Sequence, residues 1–296
     1  MSSVDVARNG AAVRNSNQAK QTITFAFLIA CSFVVFHQSL GATANLALSS
    51  HYHTHILFIP IISLCLLLWE RQAIFYNTEF EPRVGIPLLS LGIILYYASS
   101  ATEFSLPLAV SAIIFTWIAA FLLCFGKRSW LAARFSLCFL LLMIPLPIEF
   151  LDRASTILQY GSAEVTAMLF NLFGIPAFRN ELTFTLPGVI IEIAKECSGI
   201  RSSIALVITS ILAGHIFLQS GWKRLSLVLL TIPITIFKNA IRIVVLAGLG
   251  VYVDQDFLHG DLHHSGGVLF SLVALAIFLP LLGVLYRLEA RTIQAP

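Results

Sequence analysis

The sequence has few charged residues for its length. Asp, Glu, Lys and Arg make up 11% of the 296 residues, against roughly 25% in a typical soluble protein. Hydrophobic residues make up 58%, and the mean hydropathy is +0.88. A water-soluble fold cannot bury this much apolar surface, so lipid must be the solvent for most of the chain.

The sequence also lacks the signatures of several functional classes. It contains no H-E-x-x-H zinc-protease motif, no G-x-S-x-G serine elbow, no P-loop and no dinucleotide-binding fingerprint. The five cysteines show no metal-ligand spacing, and no basic run is longer than two residues. We therefore expect no metal, no cofactor and no nucleic-acid partner.

Long apolar runs recur along the chain and predict an all-α integral membrane protein. About eight spans are expected, at 23–40, 56–69, 84–100, 104–125, 133–148, 200–219, 225–250 and 266–286. The predicted organisation is a cytoplasmic polar tail at 1–22, one membrane domain at 23–286 and a cytoplasmic tail at 287–296.

The distribution of basic residues predicts that both termini are cytoplasmic. The segments on that side then hold 12 of the 18 Lys and Arg residues, whereas the short outer loops at 41–55, 101–103 and 252–262 hold none, in agreement with the positive-inside rule. The twelve are Arg8, Arg14, Lys20, Arg71, Arg83, Lys127, Arg128, Arg134, Lys223, Arg224, Arg287 and Arg291. The other six are Arg153, Arg179, Lys195, Arg201, Lys238 and Arg242. These exceptions gather in the second half, so residues 149–286 are predicted to carry the chemistry.

The segment 149–199, between spans five and six, is predicted to lie outside. Residues 151–173 alternate apolar and polar side chains with helical spacing and predict an amphipathic helix at the outer face. The apolar positions of this pattern are Leu151, Ile157, Leu158, Val165, Met168, Leu169 and Leu172. Residues 182–193 predict two short extended pieces joined by a Pro187-Gly188 turn.

Cys197 differs from the other cysteines because it does not lie within apolar span sequence. It precedes the sixth span, with Lys195 and Arg201 nearby in the sequence. Cations and a helix N-terminus both favour thiolate, the nucleophilic form of cysteine. The alternative is an incidental cysteine beside a helix cap formed by Ser198.

A second polar group lies within the seventh predicted span. Arg242 is about 26 Å along a helix from Leu225, in the outer part of the bilayer core. Lys238 and Asn239 lie one turn before it. Snorkelling to the outer headgroups explains one cation but explains three polar residues poorly, so a functional site is favoured.

Histidines form two further groups. His263 and His264 lie where the last loop enters the eighth span, at the predicted level of Cys197 and Arg242. Nucleophilic acyl transfer needs a nucleophile, a base and a donor for the oxyanion, and a thiol, an imidazole and a guanidinium can fill these roles. The alternative is that a histidine at the start of a helix simply faces water. His51, His53 and His55 alternate in the first outer loop; metal binding on a strand is conceivable there, and a solvated loop is favoured.

Two other classes remain open from the residues alone. Intramembrane Lys and Arg suit a transporter or channel with an outer-face anion site, and Pro233 can break the seventh span. The polar residues lie at one face rather than at the midplane between repeats, which disfavours a transporter. In a structural membrane subunit, Lys238 and Arg242 would pair across helices.

Three motifs, taken in order, resemble the exosortase/archaeosortase family of membrane cysteine enzymes. The first is Glu196-Cys197-Ser198-Gly199-Ile200-Arg201-Ser202, after Leu186-Pro187-Gly188. The second is Asn239-Ala240-Ile241-Arg242-Ile243, and the third runs from His263 to Gly267, with Phe270 after it. The resemblance covers about residues 80–280.

The resemblance implies a membrane cysteine peptidase or transpeptidase. Such enzymes act at the outer face of the cytoplasmic (inner) membrane on membrane-anchored proteins with a C-terminal sorting signal, which is a short motif such as Pro-Glu-Pro, one span and a basic tail. It implies Cys197 as nucleophile, Arg242 as thiolate or oxyanion stabiliser and His263 as acid/base, with His264 as the fallback if the helix register shifts. Glu196, Ser198, Lys238 and Asn239 would support them. Hydrolysis and transfer both stay open.

Overall fold

The chain forms two compact units, Met1–Pro147 and Ile148–Pro296. The computed structural model describes residues 3–50, 52–76, 78–193, 199–253 and 267–294. Both units are mainly helical, and the prediction of an all-α membrane protein is confirmed.

The first unit consists of helices and short turns over its described residues. Its α-helices are α1 (Ser3–Val35), α2 (His37–Ser49), α3 (Phe58–Trp69), α4 (Arg71–Ile74), α5 (Pro82–Ser99) and α6 (Ser105–Phe139), with 3-10 turns at Thr54–Leu57 and Leu140–Met143. The first half of α6 is the most buried element and packs against α5 and α1. Its aromatic contacts are edge-on or tilted, with ring centroids 4.9–6.4 Å apart. They join Phe121 and Phe125 of α6 to each other and to Phe25 and Phe75.

Gly126 breaks α6 near its middle. Its φ of 80° and ψ of 179° lie in a region that only glycine adopts readily. A Cβ at this position would lie 2.5 Å from the carbonyl oxygen of Glu79, so the chain before α5 approaches the break directly. The Glu79 N–H donates to the Phe125 carbonyl at 3.3 Å. The break coincides with the predicted end of the span at 104–125.

Six helical stretches among the described residues are long and apolar enough to cross a membrane. They are Gln18–Val35, Pro82–Ser99, Ser105–Met143, Ile200–Phe217, Gly221–Tyr252 and Leu269–Arg291. The predicted span at 56–69 falls in a shorter apolar helical stretch, Thr54–Trp69. The predicted spans at 104–125 and 133–148 both overlap the single stretch Ser105–Met143, which Gly126 breaks. The count of eight therefore stays a prediction.

The described residues of the second unit form four helices and a small sheet. The helices are α7 (Ile148–Leu172), α8 (Ile200–Phe217), α9 (Gly221–Tyr252) and α10 (Gly267–Gln294). The strands are β1 (Phe178–Asn180), β2 (Thr183–Leu186) and β3 (Val189–Glu192), antiparallel in the order β1-β2-β3. The predicted extended pieces and their Pro187-Gly188 turn are confirmed as β2 and β3, whereas β1 was not predicted.

One face of the sheet packs on α7 and α9. Phe184, Leu186 and Ile193 are buried together with Phe170 of α7 and Ile243 of α9. The small sheet therefore shares a core with the two helices, and the end of β3 is fixed close to both.

The predicted amphipathic helix is confirmed as α7, but its predicted apolar stripe is only partly the buried face. Leu151 and Leu158 are buried, whereas Ile157, Met168 and Leu172 are exposed. The buried face also carries polar side chains at helical spacing, namely Ser155, Gln159, Ser162 and Thr166. In a membrane protein lipid can solvate exposed apolar side chains, so a helix can bury a mixed face. Placement at the outer face stays a prediction.

The interpretation of the first histidine run as a strand or a solvated loop is wrong for the described residues. The predicted outer loop at 41–55 is helical as far as Ser49, and His55 lies in a 3-10 turn. His53 is buried, with its Nδ1 3.0 Å from Ser50 Oγ and its Nε2 3.3 Å from the Leu146 carbonyl. Burial lowers the pKa of His55, and the neighbouring His53 lowers it further. His51 lies outside the described residues.

Candidate active site

Three elements of the second unit meet around the first turn of α8. Helix α8 ends at Phe217 and α9 begins at Gly221, so a short turn makes them antiparallel, and they pack along their lengths. The start of α8 therefore lies beside the C-terminal half of α9, and α7 packs against both helices. Residues from all three elements form one polar cluster there.

Lys238 of α9 is the buried cation of this cluster. It is 3% exposed, and its Nζ donates to Ser202 Oγ at 2.7 Å. No carboxylate of a described residue lies within ion-pair distance of it. A buried ammonium is costly in a membrane protein, and the one partner that the described residues provide is a neutral hydroxyl, which favours a functional reason for its presence.

Gly199 brings the main chain onto that ammonium. Its φ is 75°, a left-handed conformation that favours glycine. A Cβ at Gly199 would lie 3.0 Å from Lys238 Nζ and 3.5 Å from Asn239 Oδ1. The backbone angle therefore favours glycine at this position, and a Cβ would have to displace the Lys238 ammonium slightly.

Two serines bind the carbonyl oxygen of Gly199. Ser202 Oγ donates to it at 2.8 Å and Ser203 Oγ donates at 2.9 Å. Ser202 thus accepts from Lys238 and donates to Gly199, which joins the ammonium to the main chain at the helix start. Ser202 is the last residue of the first sequence motif, and its side chain links Lys238 to the start of α8.

Asn239 ties α9 to α7. It is fully buried, and its Nδ2 donates to Ser162 Oγ at 3.1 Å. Its Oδ1 is buried and has no hydrogen-bond donor among the described residues. Gly161 permits this close approach, since a Cβ there would lie 2.9 Å from Ile236 Cδ1.

Gln159 of α7 fixes the end of the hairpin. Its Nε2 donates to the Ile193 carbonyl at 2.8 Å, and the bond is buried. Ile193 is the last described residue before Gly199 in the sequence. The described chain is therefore anchored on α7 at Ile193 and on α9 at Gly199.

Arg242 lies one turn beyond Lys238 on α9. Residues four apart share a helix face, and the Arg242 side chain is half-buried. The residue is about 31 Å along the axis from Gly221. Lys238 and Arg242 therefore place two cationic groups in the same half of the helix, close to the start of α8.

The start of α10 lies at the same end of the unit. Glu289 of α10 accepts from the N–H groups of Gln219 and Ser220 at 2.8 and 2.7 Å, at the turn between α8 and α9. Gly267 is about 33 Å along α10 from Glu289. The first turn of α10 is thus at the end of the unit that holds Lys238 and Arg242.

Several predicted site residues fall outside the described residues. These are Cys197, Glu196, Ser198, His263 and His264, together with Lys195. Of the described ones, Lys238, Asn239 and Arg242 lie together as expected, whereas Arg201 is exposed. No group of three or more His, Cys, Asp or Glu able to hold a metal occurs among the residues searched, which are the described ones.

Gln159 and Ser162 were not predicted from the sequence. Both belong to the polar stripe of α7, whose members are spaced by three and four residues. That spacing was a usable signal, because a stripe of uncharged polar side chains on a helix of a membrane protein indicates packing against a polar partner.

Comparison with known proteins gives one family. The family model described as transmembrane exosortase matches residues 47–280, a range that includes all three sequence motifs. No curated protein and no solved structure matches the chain.

Proposed function

The chain belongs to the transmembrane exosortase family, and we propose that it cleaves membrane-anchored proteins next to a C-terminal sorting signal. The family supports a general role in processing proteins that carry such signals, and the apolar helices identify a multi-pass membrane protein. The proposal adds the reaction and the residues that perform it. Cys197 is the nucleophile, Arg242 stabilises the thiolate or the oxyanion, and His263 is the acid/base.

The observation that carries the proposal is the polar cluster at the start of α8. Lys238 Nζ and Asn239 Oδ1 lie at Gly199, and Cys197 precedes Gly199 by two positions in the sequence. Arg242 follows on the same helix face as Lys238. A cationic environment at a helix N-terminus favours a thiolate, so this region suits a cysteine nucleophile.

The chemistry proceeds by acyl transfer. The Cys197 thiol gives its proton to His263, and the resulting thiolate attacks the scissile carbonyl carbon. The negative charge passes to the carbonyl oxygen, which the Arg242 guanidinium stabilises. The C–N bond breaks as the leaving amine takes a proton from His263, which leaves a thioester on Cys197. Attack of water on the thioester gives hydrolysis, and attack of an amine gives transfer. Either reaction restores the free Cys197 thiol.

The reaction is proposed to occur at the outer face of the cytoplasmic membrane. Both termini are then cytoplasmic, because the short outer loops of the predicted topology hold no Lys or Arg. Impermeant thiol labelling from outside should reach a cysteine placed at exposed Asn180 and should not reach one at exposed Gln72. Labelling at Gln72 alone would place the site in the cytosol.

The function is tested with a reporter that ends in Pro-Glu-Pro, one membrane span and a basic tail. Coexpression with the wild-type chain should shorten the reporter, whereas Cys197→Ala and Cys197→Ser should abolish shortening at equal accumulation in the membrane. The matched controls are Cys31→Ala, Cys65→Ala, Cys124→Ala and Cys138→Ala, which should keep most activity, since a cysteine within apolar sequence behaves as a small hydrophobe.

The outcomes separate the candidates. Processing by Cys197→Ala at the wild-type rate would eliminate the nucleophile assignment. Trapping of Cys197 by a thiol-reactive analogue of the reporter motif would support an enzyme over a transporter or a structural subunit.

A further inference from the structure

We propose that the edge of β3 that faces away from β2 is the docking site for the substrate, which adds as an extended strand before it reaches Cys197. This inference rests on the proposed function and deepens it by naming how the substrate is held. The occupant is the substrate segment on the N-terminal side of the scissile bond.

The register of the hairpin identifies the main-chain groups at this edge. Leu186 and Val189 flank the two-residue turn and form a hydrogen-bonded pair, and the Ile193 N–H donates to the Leu182 carbonyl at 3.0 Å. Hydrogen-bonded pairs alternate with pairs whose main-chain groups point away. The N–H and C=O groups of Ile190 and Glu192 therefore point away from β2.

The described residues leave this edge without another strand. The sheet order is β1-β2-β3, so β3 pairs only with β2. Ile190 is 71% exposed and Glu192 is also exposed, while Val189 and Ile193 on the other face are buried in the core. This edge of β3 thus carries two exposed residues on a strand whose other face is packed into the core, an arrangement that suits strand addition.

Continuity with the catalytic motif selects this edge over the one formed by β1. Strand β3 runs toward Ile193, and Cys197 follows four positions later in the sequence. Strand β1 runs parallel to β3 but lies two strands, or about 10 Å, farther from the chain that continues to Cys197, and its Arg179 is paired with Glu164 of α7 at 2.9 Å. A peptide on β3 therefore ends closer to Ile193, from which the chain continues to Cys197, than a peptide on β1.

The direction of the substrate follows from the same continuity. The segment before a scissile bond at Cys197 must end near the C-terminal end of β3, so it runs parallel to β3. Substrate residues closest to the scissile bond then lie beside Glu192, and residues two positions earlier lie beside Ile190. Alternate substrate side chains share the exposed face with Ile190.

Disulfide cross-linking tests the docking without requiring catalysis. In a chain carrying Cys197→Ala and no other native cysteine, Ile190→Cys and Glu192→Cys are each combined with single cysteines along the reporter motif. The control is Asn180→Cys, which is exposed in the same cross-sheet row as Glu192 but two strands away, or about 10 Å.

The expected result is cross-linking at Ile190 and Glu192 with a period of two along the reporter, about tenfold above Asn180. The reporter position that reacts best with Glu192 should lie closer to the scissile bond than the one that reacts best with Ile190. Equal yields at all three sites, no periodicity, or the reverse order would overturn the proposal.

A pair of variants at one position tests the main-chain bonds. Ile190→Pro removes an N–H that points away from β2, and proline is tolerated on an edge strand in that orientation. Reporter processing should fall about tenfold in Ile190→Pro and change less than about threefold in Ile190→Ala, which keeps the N–H. Equal rates in the two variants would count against strand addition, provided that both accumulate in the membrane.

The experiments distinguish the assignment of Cys197 as nucleophile from the docking of the substrate on β3. Processing that depends on Cys197 without cross-links at β3 would leave the enzyme and remove the docking mode. Cross-links at β3 with processing that ignores Cys197 would leave the docking mode and remove the nucleophile.

Discussion

The two units differ in the kind of polar group that they bury. Among the described residues the first unit buries hydroxyls and one histidine, and three of these hydroxyls, Ser32, Thr43 and Ser99, bond a carbonyl three or four residues earlier in their own helix. In the second unit, Lys238 and Asn239 bond side chains of other helices. Both charged side chains among the buried residues, Lys238 and Glu289, also lie there.

This difference distinguishes packing from chemistry. A hydroxyl that bonds its own helix is satisfied locally and places few demands on its neighbours. A buried ammonium or amide that bonds another element needs that element in a fixed position, and its placement in a membrane protein is costly. The second unit buries a charged side chain at two places, Lys238 beside Gly199 and Glu289 at the α8–α9 turn. Of these two, the place beside Gly199 adjoins the cysteine motif.

The largest effect after loss of Cys197 is expected at Arg242. Arg242→Lys should be nearly as damaging as Arg242→Ala, because a planar guanidinium holds an oxyanion in a fixed geometry and an ammonium does not. Losing such a donor costs about 10²–10³ in rate. The measurement is the reporter processing rate at matched expression. A lysine variant that keeps more than about a third of the rate would mean that charge alone suffices.

The next effect separates the two adjacent histidines. Consecutive helical residues point about 100° apart, and the family motif selects His263. His263→Ala should lower processing by about 10²-fold as a general acid/base is lost, and His264→Ala should be mild. The rates are compared across pH. Severe loss in His264→Ala alone would shift the register, and mild loss in both would assign the role to another residue.

Replacement of Lys238 is expected to lower the processing rate by an intermediate amount without lowering the stability of the protein. Lys238→Met replaces a buried cation with an apolar chain of similar length, a change that is often neutral or stabilising. Processing should nevertheless fall about tenfold, since the ammonium at Gly199 is lost. Thermal unfolding in detergent and reporter processing are measured together. Lower stability with normal processing would make Lys238 purely structural.

Glu289 gives the smallest effect on activity and tests the other polar end of the unit. Glu289→Ala leaves two N–H groups at the α8–α9 turn without their acceptor, so the free energy of unfolding should fall by about 1–3 kcal/mol. Processing at low temperature should stay within about twofold of wild type, because the site is about 30 Å away along the helices. Glu164→Ala is the control, since its exposed ion pair with Arg179 contributes less than about 1 kcal/mol. A large loss of processing without loss of stability would place chemistry at this end.

Local patterns in the sequence predicted the elements well. The β2–β3 hairpin follows from a Pro-Gly pair between two apolar stretches, and helix α7 follows from helical spacing, because both depend on neighbouring residues. The polar part of the buried face of α7 did not follow. Which side of a helix is buried depends on the partner it packs against, and α9 presents Asn239 as well as the apolar Ile243 and Ala247.

The candidate site was predicted only in part, because some of its contacts join neighbouring residues and others join distant ones. Asn239 and Arg242 lie within one short motif and Lys238 precedes it, so their proximity is a property of one helix. The contacts of Gln159 with Ile193 and of Ser162 with Asn239 join residues 34 and 77 positions apart. Spacing along the chain contains no information on such pairs.

The sequence by itself determined that this protein is a helical membrane protein, because a chain with 58% hydrophobic and 11% charged residues needs lipid as its solvent. Its three motifs also determined the family. Only the tertiary structure decided which cation is buried beside Gly199. Arg201 is two positions away in the sequence and is exposed, whereas Lys238 is far away in the sequence and donates to Ser202 in the first turn of α8. The rotation of each helix about its axis decides which side chains face inward, and that rotation is fixed by packing between helices.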